Sequence, residues 1–239
     1  MYENVTHLAN TPGVQWFGII ILEPFSVLTN LMIAAACFYA FRNLQRKKLN
    51  GTTTQRFITY FFLCMGFATV IGGLLGHGFI YVTGLYGRIP GWYISMAGVA
   101  FFERAAIAHG RPYVNKMMGQ FFSVLNYVEI LTFMTLTFIN LNFIFVLIHT
   151  FYGLFIVVFC TECYVYLKTR DPSFKYVISA TSFGLLAAIC HLFKLGINKW
   201  FNYNDVSHLA MIGTILCYYQ AALRIQVHKK EVRNETLPG

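Results

Sequence analysis

Long apolar stretches alternate with short polar segments along the whole chain, and this alternation predicts its secondary structure. The stretches are apolar throughout and lack the two-residue alternation that strands of membrane barrels show over about 10 residues. Since lipid cannot hydrogen-bond backbone groups, an apolar run of about 20 residues that crosses a bilayer has to be helical. The pattern predicts seven transmembrane helices, at about residues 16–41, 57–82, 90–108, 118–139, 142–167, 176–197 and 205–225.

Composition supports a membrane protein. Of the 239 residues, 57% are hydrophobic and only 11% are charged, whereas a soluble domain carries about 25% charged residues. So few charges cannot cover a water-facing surface, and the bilayer must act as solvent for much of the protein. Residues 1–239 are therefore predicted to form a single all-α domain, a seven-transmembrane helix bundle that is integral to the membrane and multi-pass.

The distribution of basic residues predicts the orientation of this bundle. Lys and Arg are concentrated in alternate loops and the C-terminal tail, at Arg42, Arg46, Lys47, Lys48, Arg56, Arg104, Arg111, Lys116, Lys168, Arg170, Lys175, Arg224, Lys229, Lys230 and Arg233. The opposite side carries only Arg88, Lys194 and Lys199. Because cytoplasmic loops are enriched in basic residues, we expect the N-terminus outside and the C-terminus in the cytoplasm. The net charge of +9 is scattered through short loops, which argues for membrane lipids as partners and against nucleic acid.

Ionisable side chains recur at one depth of the predicted bundle. With a helix rise of 1.5 Å per residue, they fall roughly 5–10 Å below the outer surface, on five helices. These side chains are Glu23, His77, His149, His191, Asp205 and His208. Charges inside a membrane are costly and usually mark function or internal pairing. The sequence thus predicts a polar cavity in the outer leaflet, although each histidine taken alone could simply hydrogen-bond a neighbouring helix.

Two sets of polar residues accompany this layer. Ser26 and Asn30 follow Glu23 at helical spacing and are expected to face the bundle interior. Glu129, near the middle of the fourth predicted span, is interpreted either as a protonated acid or as a partner of His149. Glutamates near the inner ends of spans, Glu103 and Glu162, are attributed to snorkelling toward the headgroups.

Imidazole and carboxylate ligands suggest a zinc site. His77, His208 and Asp205 would form a set of two histidines and one carboxylate, with a position left open for water. Zinc lowers the pKa of such a water to about 7, and Asn204 or His191 would stabilise the oxyanion of a lipid amide or ester under attack. Without the metal, the same residues would form a ligand pocket or a proton relay.

The segment from Glu23 to Asn30 (Glu-Pro-Phe-Ser-Val-Leu-Thr-Asn), together with His77 and His208, resembles the CREST superfamily of seven-span membrane hydrolases and receptors, which includes the alkaline ceramidases. The resemblance implies the orientation derived above. It also implies that His77 and His208 bind zinc for hydrolysis of a lipid amide.

Three positions depart from that family's pattern. Gly73 stands where the family has serine, Arg88 where it has aspartate, and Asn204 where it has the first histidine of a His-x-x-x-His pair. Three functions therefore stay open: a metal-dependent lipid hydrolase, a non-catalytic lipid-binding or scaffolding protein of the same fold, and a transporter or proton-coupled protein.

Overall fold

The computed structural model describes residues 11–49 and 51–226. The tail residues Lys229, Lys230 and Arg233, which contributed to the predicted orientation, lie outside these described residues. The described chain opens with two short antiparallel strands, Gly13–Trp16 (β1) and Ile19–Leu22 (β2). They are joined by Phe17 and Gly18, whose φ angles are 48° and 80°.

Helices make up nearly all of the rest of the described chain. The α-helices are α1 (Pro24–Arg46), α2 (Thr53–Gly73), α3 (Ile80–Thr83), α4 (Ile89–Gly110), α5 (Lys116–Asn140), α6 (Ile144–Phe151), α7 (Cys160–Thr169), α8 (Phe174–Leu192) and α9 (Tyr203–Ala222). A π-helical segment, Leu74–Gly78, continues α2, and a second one, Tyr152–Phe159, joins α6 to α7 without a break. Short 3₁₀ turns, Leu85–Arg88 and Arg111–Tyr113, precede α4 and α5.

Five of the described helical segments are long and apolar enough to cross a membrane. They are Pro24–Arg46, Thr53–Gly78, Lys116–Asn140, Ile144–Thr169 and Phe174–Leu192. The α4 and α9 helices, with 22 and 20 residues, are similar in length but are not among these five segments. In chain order, the long helical segments correspond to the predicted spans.

The start of the first predicted span is wrong. Helix α1 begins at Pro24, not near Trp16, because the preceding apolar residues pair as β1 and β2. Glu23 has a left-handed backbone conformation (φ 44°) that an α-helix does not admit, and Pro24 suits the first helical position, where its missing N–H costs nothing. Glu23 therefore precedes the helix instead of lying two turns inside it.

The end of the sixth predicted span is also wrong. Helix α8 ends at Leu192, not near Ile197, and Lys194 has a φ of 52° that breaks the helix. The amide of Ile197 instead donates to the carbonyl of Phe201 at 3.0 Å, within the loop that leads to α9. His191 consequently lies in the last turn of α8.

The bundle is organised around α4, which packs against α2, α5 and the second π-helical segment. Stacked and edge-on rings of Phe61, Phe62, Phe102 and Tyr218 fill the centre of the core. The outer face of helix α5 is exposed in the described structure. Its large apolar side chains include Leu131 and Ile139, which are 64% and 71% exposed. An apolar face of this kind is suited to lipid.

Candidate functional site

Two histidines that the sequence singles out lie beside each other. His77 comes from the π-helical segment after α2, and His208 comes from the second turn of α9. Their ring centroids are 6.1 Å apart, and the ring planes are nearly perpendicular at 89°. The predicted convergence of these helices on one polar site is present in the structure, and we call the two side chains the histidine pair.

Glu23 orients the first ring of the histidine pair. Its Oε2 lies 2.5 Å from Nδ1 of His77, and both side chains are less than one-fifth exposed, at 18% and 17%. The other oxygen, Oε1, accepts a hydrogen bond of 3.1 Å from the Asn202 amide. The positive φ of Glu23 thus places one carboxylate between the π-helical segment and the N-terminus of α9.

Polar residues of α1 orient the second ring. Thr29 Oγ1 lies 2.8 Å from Nδ1 of His208, and the amide nitrogen of Asn30 lies 3.5 Å from the same atom. Ser26 donates to Asp205 Oδ1 at 2.8 Å. The predicted inward face of Ser26 and Asn30 is correct, and Thr29, to which no role was assigned, makes the closest contact to His208. Its position one turn after Ser26 was the available signal.

Asp205 is occupied as a helix cap. Its Oδ2 accepts from the backbone N–H of Asn202 at 2.7 Å, while the side chain of Asn202 accepts from the N–H of Asn204 at 2.8 Å. This reciprocal arrangement is a capping box at the start of α9. Since Oδ1 also accepts from Ser26, both oxygens are engaged, and Asp205 does not fit the third ligand position predicted for it.

The two residues predicted to assist catalysis lie at the edge of the site. The His191 ring contacts Tyr203 and Phe143, with centroids 5.4 Å and 5.5 Å away. The Asn204 side chain hydrogen-bonds His191, which is also close enough to His77 to interact with it electrostatically.

The departures from the ceramidase-like pattern have structural consequences. A Cβ atom on Gly73 would lie 2.8 Å from Cβ of Asn30, so no serine fits there unless α1 shifts. Arg88 donates from Nε to the carbonyl of Gly76 at 3.1 Å. Burial lowers the pKa of the Arg88 guanidinium, and the charge of Glu23 opposes that shift. The site thus holds a cation where the resemblance implies a carboxylate.

His149 and Glu129 do not join the histidine pair. Nδ1 of His149 lies 2.6 Å from Oε1 of Glu129, and Nε2 lies 3.0 Å from the carbonyl oxygen of Met96. The interpretation of Glu129 as a partner of His149 is confirmed, but the single polar layer is wrong, because the layer divides into two clusters. The depth of a side chain along its helix can be read from the sequence. The direction in which that side chain points around the helix axis depends on how the helices pack.

Glu103 belongs to this second cluster, which corrects its assignment as a snorkelling residue. Its side chain is 0% exposed, and its Oε2 accepts from Asn126 at 3.1 Å. Among the described residues, Glu103, Glu129 and His149 are the one group of three His, Cys, Asp or Glu side chains with ligand atoms all within 4.8 Å of one another. Glu162 is likewise buried, and both of its oxygens lie 3.0 Å from Nδ1 of His109.

The family model for a domain described as a family of unknown function, DUF6962, matches residues 25–227. The chain belongs to DUF6962. No curated protein and no solved structure matches it. The DUF6962 region contains both members of the histidine pair and the whole second cluster, while β1, β2 and Glu23 precede it.

The arrangement in this DUF6962 protein holds two imidazoles next to each other. Among the described residues, hydrogen bonds reach the histidine pair at Nδ1 of each ring, from Glu23 to His77 and from Thr29 and Asn30 to His208. The Nε2 atoms are then the ones left to bind a metal or a substrate.

Proposed function

We propose that this protein spans the membrane with seven helices, its N-terminus outside and its C-terminus in the cytoplasm. Five apolar helical segments support this, as do the intervening α4 and α9, which have the length to cross. The exposed apolar face of α5 and the concentration of basic residues in alternate loops also favour it.

We propose further that the histidine pair binds zinc and that the protein hydrolyses a lipid amide or ester. One observation carries this proposal: rings from distant parts of the sequence lie next to each other with nearly perpendicular planes, each contacted at Nδ1 by a carboxylate or hydroxyl. Histidines that ligate metals usually have their second ring nitrogen fixed by such a partner. The resemblance to the alkaline ceramidases, carried by the same residues, supports the same chemistry.

Two imidazoles, from His77 and His208, are ligands that suit zinc. Because both oxygens of Asp205 already accept hydrogen bonds, we propose His191 in its place as the third ligand. His191 supplies a further imidazole, which interacts electrostatically with both rings of the histidine pair. Bound zinc would supply Lewis acidity toward a carbonyl and activate a water. In the protein itself, Glu23 and Thr29 hold the rings, and we propose that the amide of Asn204 would donate a hydrogen bond to a developing oxyanion.

Metal analysis and turnover test this function together. We expect protein purified in detergent to retain zinc and to cleave a ceramide-type lipid amide, and His208→Ala to lose both. Thr214→Val is the control on the same helix, because among the described residues the Thr214 hydroxyl bonds only to the Ala210 carbonyl one turn earlier. A wild-type zinc content below a tenth of an equivalent that His208→Ala does not alter would refute the zinc site.

A non-catalytic lipid-binding or scaffolding role is the second candidate. It is favoured by Gly73 and Arg88 in place of the serine and aspartate that the resemblance implies, and by the engagement of Asp205 in capping. This candidate predicts lipid that co-purifies with the protein without being cleaved. Measured turnover of a lipid amide that is abolished by His77→Ala would rule it out.

A further inference from the structure

A second cluster, separate from the histidine pair, is built from three helices. Glu103 comes from α4, Glu129 from α5 and His149 from α6. The glutamates are 0% and 8% exposed, and the histidine is 0% exposed. Nothing in the proposed hydrolase chemistry uses these side chains, so their burial needs its own explanation.

Two carboxylate oxygens in this cluster have no partner. Among the described residues, Oε1 of Glu103 and Oε2 of Glu129 are buried without a hydrogen bond. A buried acceptor without a donor destabilises the folded state, and more so if it is charged. Such atoms usually indicate a missing water or ion.

The hydrogen bonds of His149 show that a cation belongs between its ring and Glu129. Nε2 faces the Met96 carbonyl, which can only accept, so the ring proton lies on Nε2. A neutral ring then presents the lone pair of Nδ1 to the Glu129 oxygen 2.6 Å away. Two lone pairs at that distance repel each other unless a proton or a metal ion lies with them.

A divalent metal satisfies more of these atoms than a proton does. A proton shared by Nδ1 and Glu129 Oε1 would leave Glu103 Oε1 and Glu129 Oε2 without partners. The ligand atoms of the three residues lie within 4.8 Å of one another, close enough for one ion to reach all of them. The backbone carbonyl at Nε2 is also the kind of contact that orients a metal-binding histidine.

Charge balance favours a divalent ion. In the described part of the chain, the only ion pair of Glu103 or Glu129 is the one with His149, and no lysine or arginine contributes. Uncompensated charges are expensive to bury. One ion of charge +2 would neutralise both carboxylates while His149 stays neutral.

Gly153 provides the space for Glu103. It lies in the second π-helical segment, and a Cβ atom there would be 2.5 Å from Oε1 of Glu103. Helical segments of this type occur frequently at functional sites. The carboxylate thus occupies a recess that only glycine leaves open.

We propose that Glu103, Glu129 and His149 form a buried binding site for one divalent transition-metal ion. Two oxygen ligands and one imidazole are suited to Mn²⁺, Fe²⁺ or Zn²⁺. The site lies among α4, α5 and α6 and shares no residue with the histidine pair.

Loading with Mn²⁺ tests the site. Detergent-purified protein is stripped with a chelator, incubated with Mn²⁺ and desalted. Retained metal is then measured by mass spectrometry and by electron paramagnetic resonance.

We expect the wild type to retain one Mn²⁺ per chain and to melt at a higher temperature with it. Glu129→Gln should lower retention at least tenfold. Gly153→Ala should do the same with every ligand residue intact, because its methyl group displaces the Glu103 carboxylate.

Two controls separate this site from the rest of the protein. Glu162→Gln changes another buried glutamate, paired with His109, and should retain Mn²⁺. His208→Ala should also retain Mn²⁺ even if it loses zinc and turnover, so failure of the proposed hydrolase function and failure of this site are distinguishable. If the wild type retains neither Mn²⁺, Fe²⁺ nor Zn²⁺ at this cluster, or if Glu129→Gln and Gly153→Ala retain as much as the wild type, the proposal is wrong and the cluster holds a proton.

Discussion

At the residue scale, Thr29 illustrates how one hydroxyl connects the site to the bundle. Its Oγ1 lies 2.8 Å from His208 Nδ1 and 3.4 Å from Asp205 Oδ1, and it is 3% exposed. The same atom also lies 3.2 Å from the Ser26 carbonyl of its own helix. Removal of this hydroxyl would therefore leave Nδ1 of His208 with only the longer contact from Asn30, at 3.5 Å, among the described residues.

Thr29→Val replaces the hydroxyl by a methyl group of similar size. We expect the free energy of unfolding in mixed micelles to fall by about 0.5–1.5 kcal/mol, the net contribution of a typical hydrogen bond. Thr132→Val is the matched control, since the Thr132 hydroxyl is exposed and, within the described part of the chain, bonds only to the Val128 carbonyl one turn earlier. A loss as small as that of Thr132→Val would show that Thr29 does not support His208.

At the element scale, neighbouring glycines near the end of α2 have opposite surroundings. A Cβ on Gly73 would meet Asn30 Cβ at 2.8 Å, whereas a Cβ on Gly72 would meet nothing within 4 Å. Gly73 therefore sets how closely α1 and α2 approach, and Gly72 does not.

Alanine substitutions at these glycines should change stability in opposite directions. Gly73→Ala overpacks the contact between α1 and α2 and should lower the free energy of unfolding by about 1–3 kcal/mol. Gly72→Ala should raise it by about 0.5–1 kcal/mol, because alanine loses less backbone entropy in a helix. Unfolding of both variants in the same detergent compares them directly. Equal effects would mean that α1 can move away from Gly73 at no cost.

The N-termini of α9 and α5 offer a second comparison between elements. Asn202 caps α9 and also donates to Glu23, whereas in the described structure the Asn115 side chain caps α5 by accepting from the N–H of Met118 and makes no other hydrogen bond. We expect Asn115→Ala to cost about 1 kcal/mol of stability. Asn202→Ala should cost a further 1.5–3 kcal/mol or so, from the lost bond to a carboxylate. Thermal unfolding ranks the two, and equal losses would contradict a role for Asn202 in holding Glu23.

The sequence predicts the long elements well and the short ones poorly. Continuous apolar runs longer than 18 residues have few alternatives to a helix, so α5 was located within about two residues at each end. The run from Trp16 to Leu22 is too short to distinguish a strand from a helix, and it forms β2 and part of β1. The pairing of Glu129 with His149 could be anticipated. The burial of Glu103 beside them could not be anticipated, because it depends on the rotation of α4 about its own axis within the bundle.

At the scale of the whole molecule, polar groups gather in buried clusters while the outer faces are apolar. The histidine pair, the Glu103–Glu129–His149 cluster and the His109–Glu162 contact are all enclosed by helices. Phe121 and Phe138 on α5, by contrast, are 62% and 59% exposed. Polar groups inside the bundle and apolar side chains on its outer faces are the distribution that a lipid environment requires. In the proposed membrane bundle, these polar clusters lie in the interior.

The proposed orientation makes a prediction about the loops. The loop that follows α1, with Lys47 and Lys48, should face the cytoplasm, and the loop from 193 to 202, with Lys194 and Lys199, should face outside. A glycosylation tag inserted at 196–197 should therefore be modified when the protein is made with microsomes. The same tag placed after Lys48 should stay unmodified, and a soluble secreted reporter with the tag serves as the positive control. Modification of the Lys48 insertion alone would show that the orientation is the reverse of the proposed one. Modification at both sites would show that the two loops lie on the same side, so that the helices between them cross the bilayer an even number of times. In the inverted orientation the histidine pair, whose rings lie near the α8–α9 loop, would have to be reassigned to the other face of the membrane.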